Sequence, residues 1–180
     1  RQVEVLRDKH QTQEQKLTEF VRVARANNVL ADKIHRFACR LLRTTTRAAA
    51  VGQIEASLRE DFDTFHAVLL LASSESAGEV SAPQRFLRCA GAEDAVFRSF
   101  DALFATGKPR CGQLRDSQRD YLFGSEAAGI GSVALVPLGG HPPLGLLALG
   151  SVEQERFHPG MSTEFLARIG ELVTEALSRD

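Results

Sequence analysis

The chain has 180 residues, 43% of them hydrophobic and 25% charged, with a formal net charge of −1, which excludes collagen-like, fully disordered and disulfide-scaffold proteins. Three cysteines are too few, and odd in number, for a secreted disulfide framework, no apolar run approaches the roughly 20 residues that cross a bilayer, and no cleavable leader pattern opens the chain. A cytoplasmic protein without a membrane partner is therefore expected, and near-neutrality hides an asymmetry: residues 1–47 hold eleven Arg/Lys against five Asp/Glu, the remainder eleven against eighteen.

Residues 1–43 contain neither Gly nor Pro and are rich in Gln, Glu, Arg, Lys, Leu and Ala, which predicts one uninterrupted helix. At 1.5 Å per residue it would be a rod of about 65 Å, too long for a domain of this size to cover. Positions three and four apart give a heptad seam of Val3, Leu6, His10, Gln13, Leu17, Phe20, Ala24, Asn27, Ala31, Ile34, Ala38 and Leu41. Val3, Leu6, Leu17, Phe20, Ala24, Asn27, Ile34 and Leu41 are the expected contacts of a homodimer. A parallel pair would bring Lys9 toward Glu14 of the partner, although the seam alone leaves parallel and antiparallel pairing both open. Arg36, Arg40, Arg43 and Arg47 fall on one face of the same helix. Such a stripe could meet phosphates, but cations also suit a solvated face and a helix C-terminus, so a nucleic-acid partner is the lesser reading.

The β-branched run Thr44-Thr45-Thr46 predicts a break, giving a helical segment over 1–46 and a globular domain over 47–180. Val51, Ile54, Leu58 and Phe62 recur at helical spacing up to about Asp61. Residues 65–72 are apolar on both alternating faces, as in a strand covered on both sides. A small polar loop over 73–82 and a second strand over 84–88 follow, then a helix over 93–104 with Phe97, Phe100 and Phe104 on one face, closed by Gly107. After an extended 109–111, Asp116 is the expected N-cap of a short helix through Tyr121, Leu122 and Phe123. A glycine-rich loop over 124–131 leads into strands 132–138 and 144–150, whose short connection makes them antiparallel neighbours. A helix over 160–177 closes the chain, and this order predicts an α+β fold around an antiparallel sheet.

Ile130-Gly131-Ser132 running into 133–138, the strand 144–151, and Arg156-Phe157 before the last helix resemble the end of a GAF domain, a sensing fold related to PAS domains. Ala105-Thr106-Gly107-Lys108-Pro109 is similar to the turn such domains carry before their third strand. Phe157-His158-Pro159-Gly160-Met161 followed by Phe165-Leu166 resembles the bacterial GAF-like family catalogued as domain of unknown function 484. The GAF resemblance spans about residues 48–178, and the family resemblance extends into the long helix. It implies a six-stranded antiparallel sheet, with helices packed on one face beside those of a dimer partner and a small-molecule pocket on the other. The lining it suggests is Phe97, Phe100, Phe104, Tyr121 and Leu122, with Cys111 and Ser132 as polar contacts. Three Phe at helical spacing are also what an ordinary core contains.

Specific chemistries fare poorly against the residues. No cysteine is followed by His, as a Cys-His bilin attachment would need, and CxxC, HxxxH and HExxH pairs for zinc are absent. His35 and Cys39 offer half a metal site at most, and His66 is the one candidate for a haem ligand. Gly124-x-x-x-x-Gly129 is followed by Ile130 where a phosphate loop needs Lys, and no GxSxG elbow exists. The enzymatic rival is a thiol-based reductase, which needs two of Cys39, Cys89 and Cys111 together; Cys89 and Cys111 flank the middle helix and are the pair that could in principle approach, while Cys39 lies on the long helix. The favoured expectation is a homodimeric, non-catalytic regulatory GAF-like module, without metal or cofactor, that senses a small molecule or binds a protein.

Overall fold

The computed structural model describes residues 1–73 and 85–179. Helix α1 (Gln2–Leu42) is unbroken for 41 residues, about 60 Å. Its end is chemically fixed: the Leu41 carbonyl accepts from the Thr44 N–H (3.1 Å), the Thr44 hydroxyl (2.6 Å) and the Arg179 guanidinium (3.1 Å), so the last turn needs no continuation. Two residues on, the Thr46 hydroxyl oxygen accepts from the Ala49 N–H at 3.1 Å and starts α2 (Arg47–Glu60). The elements that follow are β1 (His66–Ser73), β2 (Leu87–Gly91), α3 (Ala95–Arg98), α4 (Asp101–Thr106), β3 (Arg110–Gly112), α5 (Asp116–Phe123), a 3₁₀ segment (Gly124–Gly129), β4 (Ser132–Gly139), β5 (Pro143–Ser151) and α6 (Glu164–Leu177).

Among the described residues the sheet has five strands in the order β2-β1-β5-β4-β3. Where six antiparallel strands were expected, the described residues form five of mixed direction. The β4–β5 hairpin, with a cis His141–Pro142 peptide in its turn, is antiparallel as predicted, and so are β1–β5 and β3–β4. β2 runs parallel to β1, pairing Leu69 with Leu87 through Ser73 with Gly91. Parallel neighbours require a crossover of about a dozen residues; residues 74–84, which include most of the loop expected over 73–82 and the start of the strand expected at 84, lie outside the described residues. The helix expected over 93–104 is two pieces. The Ser99 hydroxyl donates to the Val96 carbonyl at 2.7 Å, competing with the helical ladder, and Phe100 takes a non-helical conformation before α4 restarts. Asp116 opens α5 rather than capping it, and pairs with Arg119 at 3.0 Å.

Side-chain alternation divides the core into two layers. Leu69, Leu71, Ala134, Val136, Leu138, Leu147 and Leu149 face α1, α2 and α6, whereas Val68, Leu70, Val133, Leu135, Leu146 and Ala148 face α3, α4, α5 and the 3₁₀ segment. Helices thus cover both faces, and α3, α4 and α5 lie on the side where the resemblance implied a pocket between the sheet and the middle helices. Only the last third of α1 joins the first layer, through Ile34, Phe37 and Leu41. Phe37 meets Phe62 edge-on, with ring centroids 6.1 Å apart. The globular core therefore begins inside α1, ahead of the boundary expected at residue 47.

Tight approaches set the register. A Cβ on Gly145 would come within 2.1 Å of the Leu70 carbonyl oxygen across the β1–β5 pair, so a side chain there must separate the two central strands. Gly145→Ala is expected to lower unfolding stability by about 2–3 kcal/mol, as overpacking does, read as a lower urea midpoint at unchanged slope.

Candidate functional site

The residues expected to line a pocket separate into three groups. Phe97, Phe100 and Leu122 are buried in the layer beneath α3–α5, with Phe104 and Tyr121 half-buried against it. Phe97 and Phe104 stack at 5.9 Å, and the Arg88 guanidinium lies 5.6 Å over the Tyr121 ring while also donating to the Tyr121 carbonyl. All five pack in this layer, and Phe100 also borders a groove beside β3.

Cys111 belongs to the opposite layer, packed against the α1–α2–α6 cluster. Next to it an open groove of about 450 Å³ runs between α4 and the edge strand β3, lined by Phe100, Leu103, Arg110, Cys111, Leu114, Gln118, Val133, Leu135 and Pro159 among others. Phe100 and Cys111 are the expected pocket residues that reach it. Pro159 comes from the Phe157-His158-Pro159-Gly160-Met161 segment, a tight turn in which the Met161 N–H donates to the His158 carbonyl at 3.1 Å and the Gly160 N–H to His158 Nδ1 at 3.2 Å.

Ser132 sits beside a second, polar crevice of about 340 Å³ that also takes in Gln113, Arg119, Gly129 and Gln154. Its hydroxyl donates to the Glu153 carbonyl at 2.6 Å and accepts from the Phe157 N–H at 3.2 Å. Both bonds are internal, so Ser132 braces the segment after β5. Arg156 completes that brace: its guanidinium donates to the Phe62 carbonyl, the Asp63 carbonyl (2.7 Å) and the Thr64 hydroxyl (3.3 Å), holding the turn before β1. Ser132 and Arg156, both in the segments that carry the GAF resemblance, thus make internal hydrogen bonds.

The seam of α1 divides likewise. Val3, Leu6, Leu17 and Phe20 are exposed, Asn27 is exposed and Ala24 partly so. Ile34 and Leu41, expected as dimer contacts, are buried in the chain's own core; the seam reading missed that the domain claims this end of the helix, and with it Phe37. The arginine stripe is partly spent as well. Asp61, buried at the end of α2, accepts from Arg36 (3.1 Å) and Arg40 (3.0 Å), and Arg40 also meets Glu60 at 3.3 Å. Only Arg43 and Arg47 of the four carry no ion pair among the described residues.

The thiols do not assemble. Cys89 lies on β2 and Cys111 on β3, the two opposite edges of the sheet, and four strand spacings alone separate them by about 19 Å across it. The approach left open for this pair is corrected accordingly. Cys39 lies on α1 with its Sγ 3.7 Å from His35 Nε2. His66 Nδ1 is 3.0 Å from Glu126 Oε2, whose other oxygen accepts from Arg85 at 3.2 Å. Among the described residues no three His, Cys, Asp or Glu side chains group as a metal site, and no helix is long and apolar enough to cross a membrane.

Burial pushes the Cys111 thiol up from its ordinary value, so at neutral pH it holds less of the reactive thiolate than a free cysteine. Iodoacetamide at pH 7.5 is expected to modify the exposed Cys89 before Cys111, with the Cys111 rate climbing as pH rises into the alkaline range; mass spectrometry of the alkylated peptides reads the order. Ser132→Ala, which leaves the Phe157 N–H and the Glu153 carbonyl without their partner, is expected to cost about 1–3 kcal/mol in thermal or urea unfolding.

No curated protein matches the chain. Among solved structures it is similar to the crystal structure of the phycocyanobilin-bound GAF domain from a cyanobacterial phytochrome, with a TM-score of 0.48 and 13% identity over 82% of this chain and 91% of that one. The family model described as "Protein of unknown function, DUF484" matches residues 1–179. From the free end of α1 through the last turn of α6, the chain belongs to the DUF484 family.

Proposed function

We propose that the chain is a non-catalytic regulatory module of GAF type, homodimeric through the exposed part of α1, that responds to a small molecule or a protein contact at the groove beside β3. The observation that carries this reading is the thinness of the path from groove to rod. On β4, Val133 and Leu135 line the groove, while the alternating Ala134, Val136 and Leu138 pack in the layer that holds α6 and the end of α1. A displacement of β4 by an occupant of the groove reaches both helices through one layer of side chains, and a close-packed layer passes on displacements. The rod then converts a small tilt at its root into a larger excursion of its free end, which changes the geometry of a pair joined there.

Two features support a module without chemistry. The cysteines stand apart, and the raised Cys111 thiol is a poor nucleophile at neutral pH. The ion pairs of Arg36 and Arg40 with Asp61 supply a structural use for half of the arginine stripe, which removes those charges from a phosphate-binding surface.

Light scattering on the full chain is expected to give twice the chain mass, and Leu17→Glu with Phe20→Glu to give the monomer with its helix content retained. Native mass spectrometry of freshly purified protein should show a bound species that is lost or weakened in Leu103→Trp, which fills the groove. A full chain that is monomeric at tens of micromolar and carries no bound species would end this reading.

A further inference from the structure

The rod carries two apolar faces, and only one belongs to the domain. At 3.6 residues per turn Leu6, Ala24 and Leu42 stand eighteen residues apart, about five whole turns, and so lie on one line along the helix. Leu17, Phe20, Ala31 and Ala38 fall within about 40° of that line, whereas Ile34, Phe37 and Leu41 centre about 100° away. The large side chains on the line are open to solvent: Leu6 and Leu17 are each 65% exposed, Phe20 72% and Leu42 73%. The heptad seam of residues 3–27 thus continues past residue 30 through Ala31, Ala38 and Leu42, and not through Ile34 and Leu41 as the spacing alone suggested. Along this second face Leu6, Leu17, Phe20, Ala31 and Leu42 are exposed, and Ala24 and Ala38 are half-buried.

We propose that this face, from Leu6 to Leu42, is the contact between two copies of the chain lying parallel, with both domains at the same end. The proposal rests on the dimeric reading above and adds its face and direction. A second copy fits because the stripe repeats at sevens through Leu17, Ala24, Ala31 and Ala38, the period at which two identical helices keep the same face together. A strip about 60 Å long and 10 Å wide offers roughly 600 Å² per chain, the lower end of the range of stable interfaces. Charge sets the direction. In a parallel pair Lys9 on one flank faces Glu14 of the partner five residues on, and symmetry makes the contact twice. An antiparallel pair over the same length puts Lys9 near the far end of the partner's contact, away from Glu14, and loses that attraction. The small Ala24, Ala31 and Ala38 let the helices approach closely next to the domains, and Leu42 closes the contact at the root.

Disulfide mapping tests it. In a chain carrying Cys39→Ser, Cys89→Ser and Cys111→Ser, Leu6→Cys and Ala38→Cys are each expected to link to themselves on mild oxidation, and Thr12→Cys, about 120° round the rod from Leu6, to stay unlinked. A protein that is dimeric by mass but links Leu6→Cys only to Ala31→Cys, or links neither, overturns the parallel face while leaving the dimeric reading intact. A monomeric mass overturns both. With the native cysteines in place, Leu42→Glu is expected to weaken dimerisation at least tenfold at unchanged helix content, by sedimentation at graded concentrations; an unchanged dissociation constant overturns the assignment of Leu42 to the contact.

Discussion

A 41-residue helix cannot be covered by a sheet whose strands are at most nine residues long, and the rest of the molecule is arranged around that mismatch. The domain grips the rod by one end only. Ile34, Phe37 and Leu41 enter the core, Asp61 holds Arg36 and Arg40 from the end of α2, and Arg179 reaches the Leu41 carbonyl from beyond α6. The apolar contacts of Ile34, Phe37 and Leu41 together with the two arginines on Asp61 set the angle at which the rod leaves the domain. Because that angle is fixed, so is the direction in which the second apolar face looks.

The sheet is the other thin place. Its central strands β1, β5 and β4 are apolar on both sides, and the two side-chain layers are separated by a single backbone. Helix α6 approaches so closely that a Cβ on Gly170 would lie 2.6 Å from a Val136 methyl. In such packing a shift on one face has little slack to vanish into. The groove beside β3 and the root of α1 are therefore neighbours in mechanical terms, although they lie on opposite sides of the sheet.

Much of this was legible beforehand, and the failures have physical causes. The long helix, the break at Thr44, the buried β1, the β4–β5 hairpin and the left-handed Gly107 closing α4 all follow from local rules of propensity, period and turn chemistry. The parallel β2 was not readable because strand direction depends on the path between strands and not on the strands' own pattern. The seam misassigned Ile34 and Leu41 because a heptad cannot say which partner, domain or second copy, covers which part of a stripe. The pocket reading gathered aromatic residues that spacing placed on one face; spacing does not distinguish a wall from a filled core. Ser132 and Arg156 went unread as braces because their partners are backbone carbonyls and N–H groups, which carry no residue signature. The carboxylates that take up Arg36 and Arg40 were in view in the sequence as Glu60 and Asp61 at the end of the next helix.

The two outer strands of the sheet are short, three residues in β3 and five in β2. β2 is further occupied by Arg88, whose guanidinium is drawn over Tyr121, and β3 begins at the exposed Arg110. Unpaired strand edges are where copies of a protein add to one another without limit, and brevity and positive charge are the usual defences. With both borders blunted, the exposed apolar side of the rod has no open sheet edge beside it through which copies could add without limit.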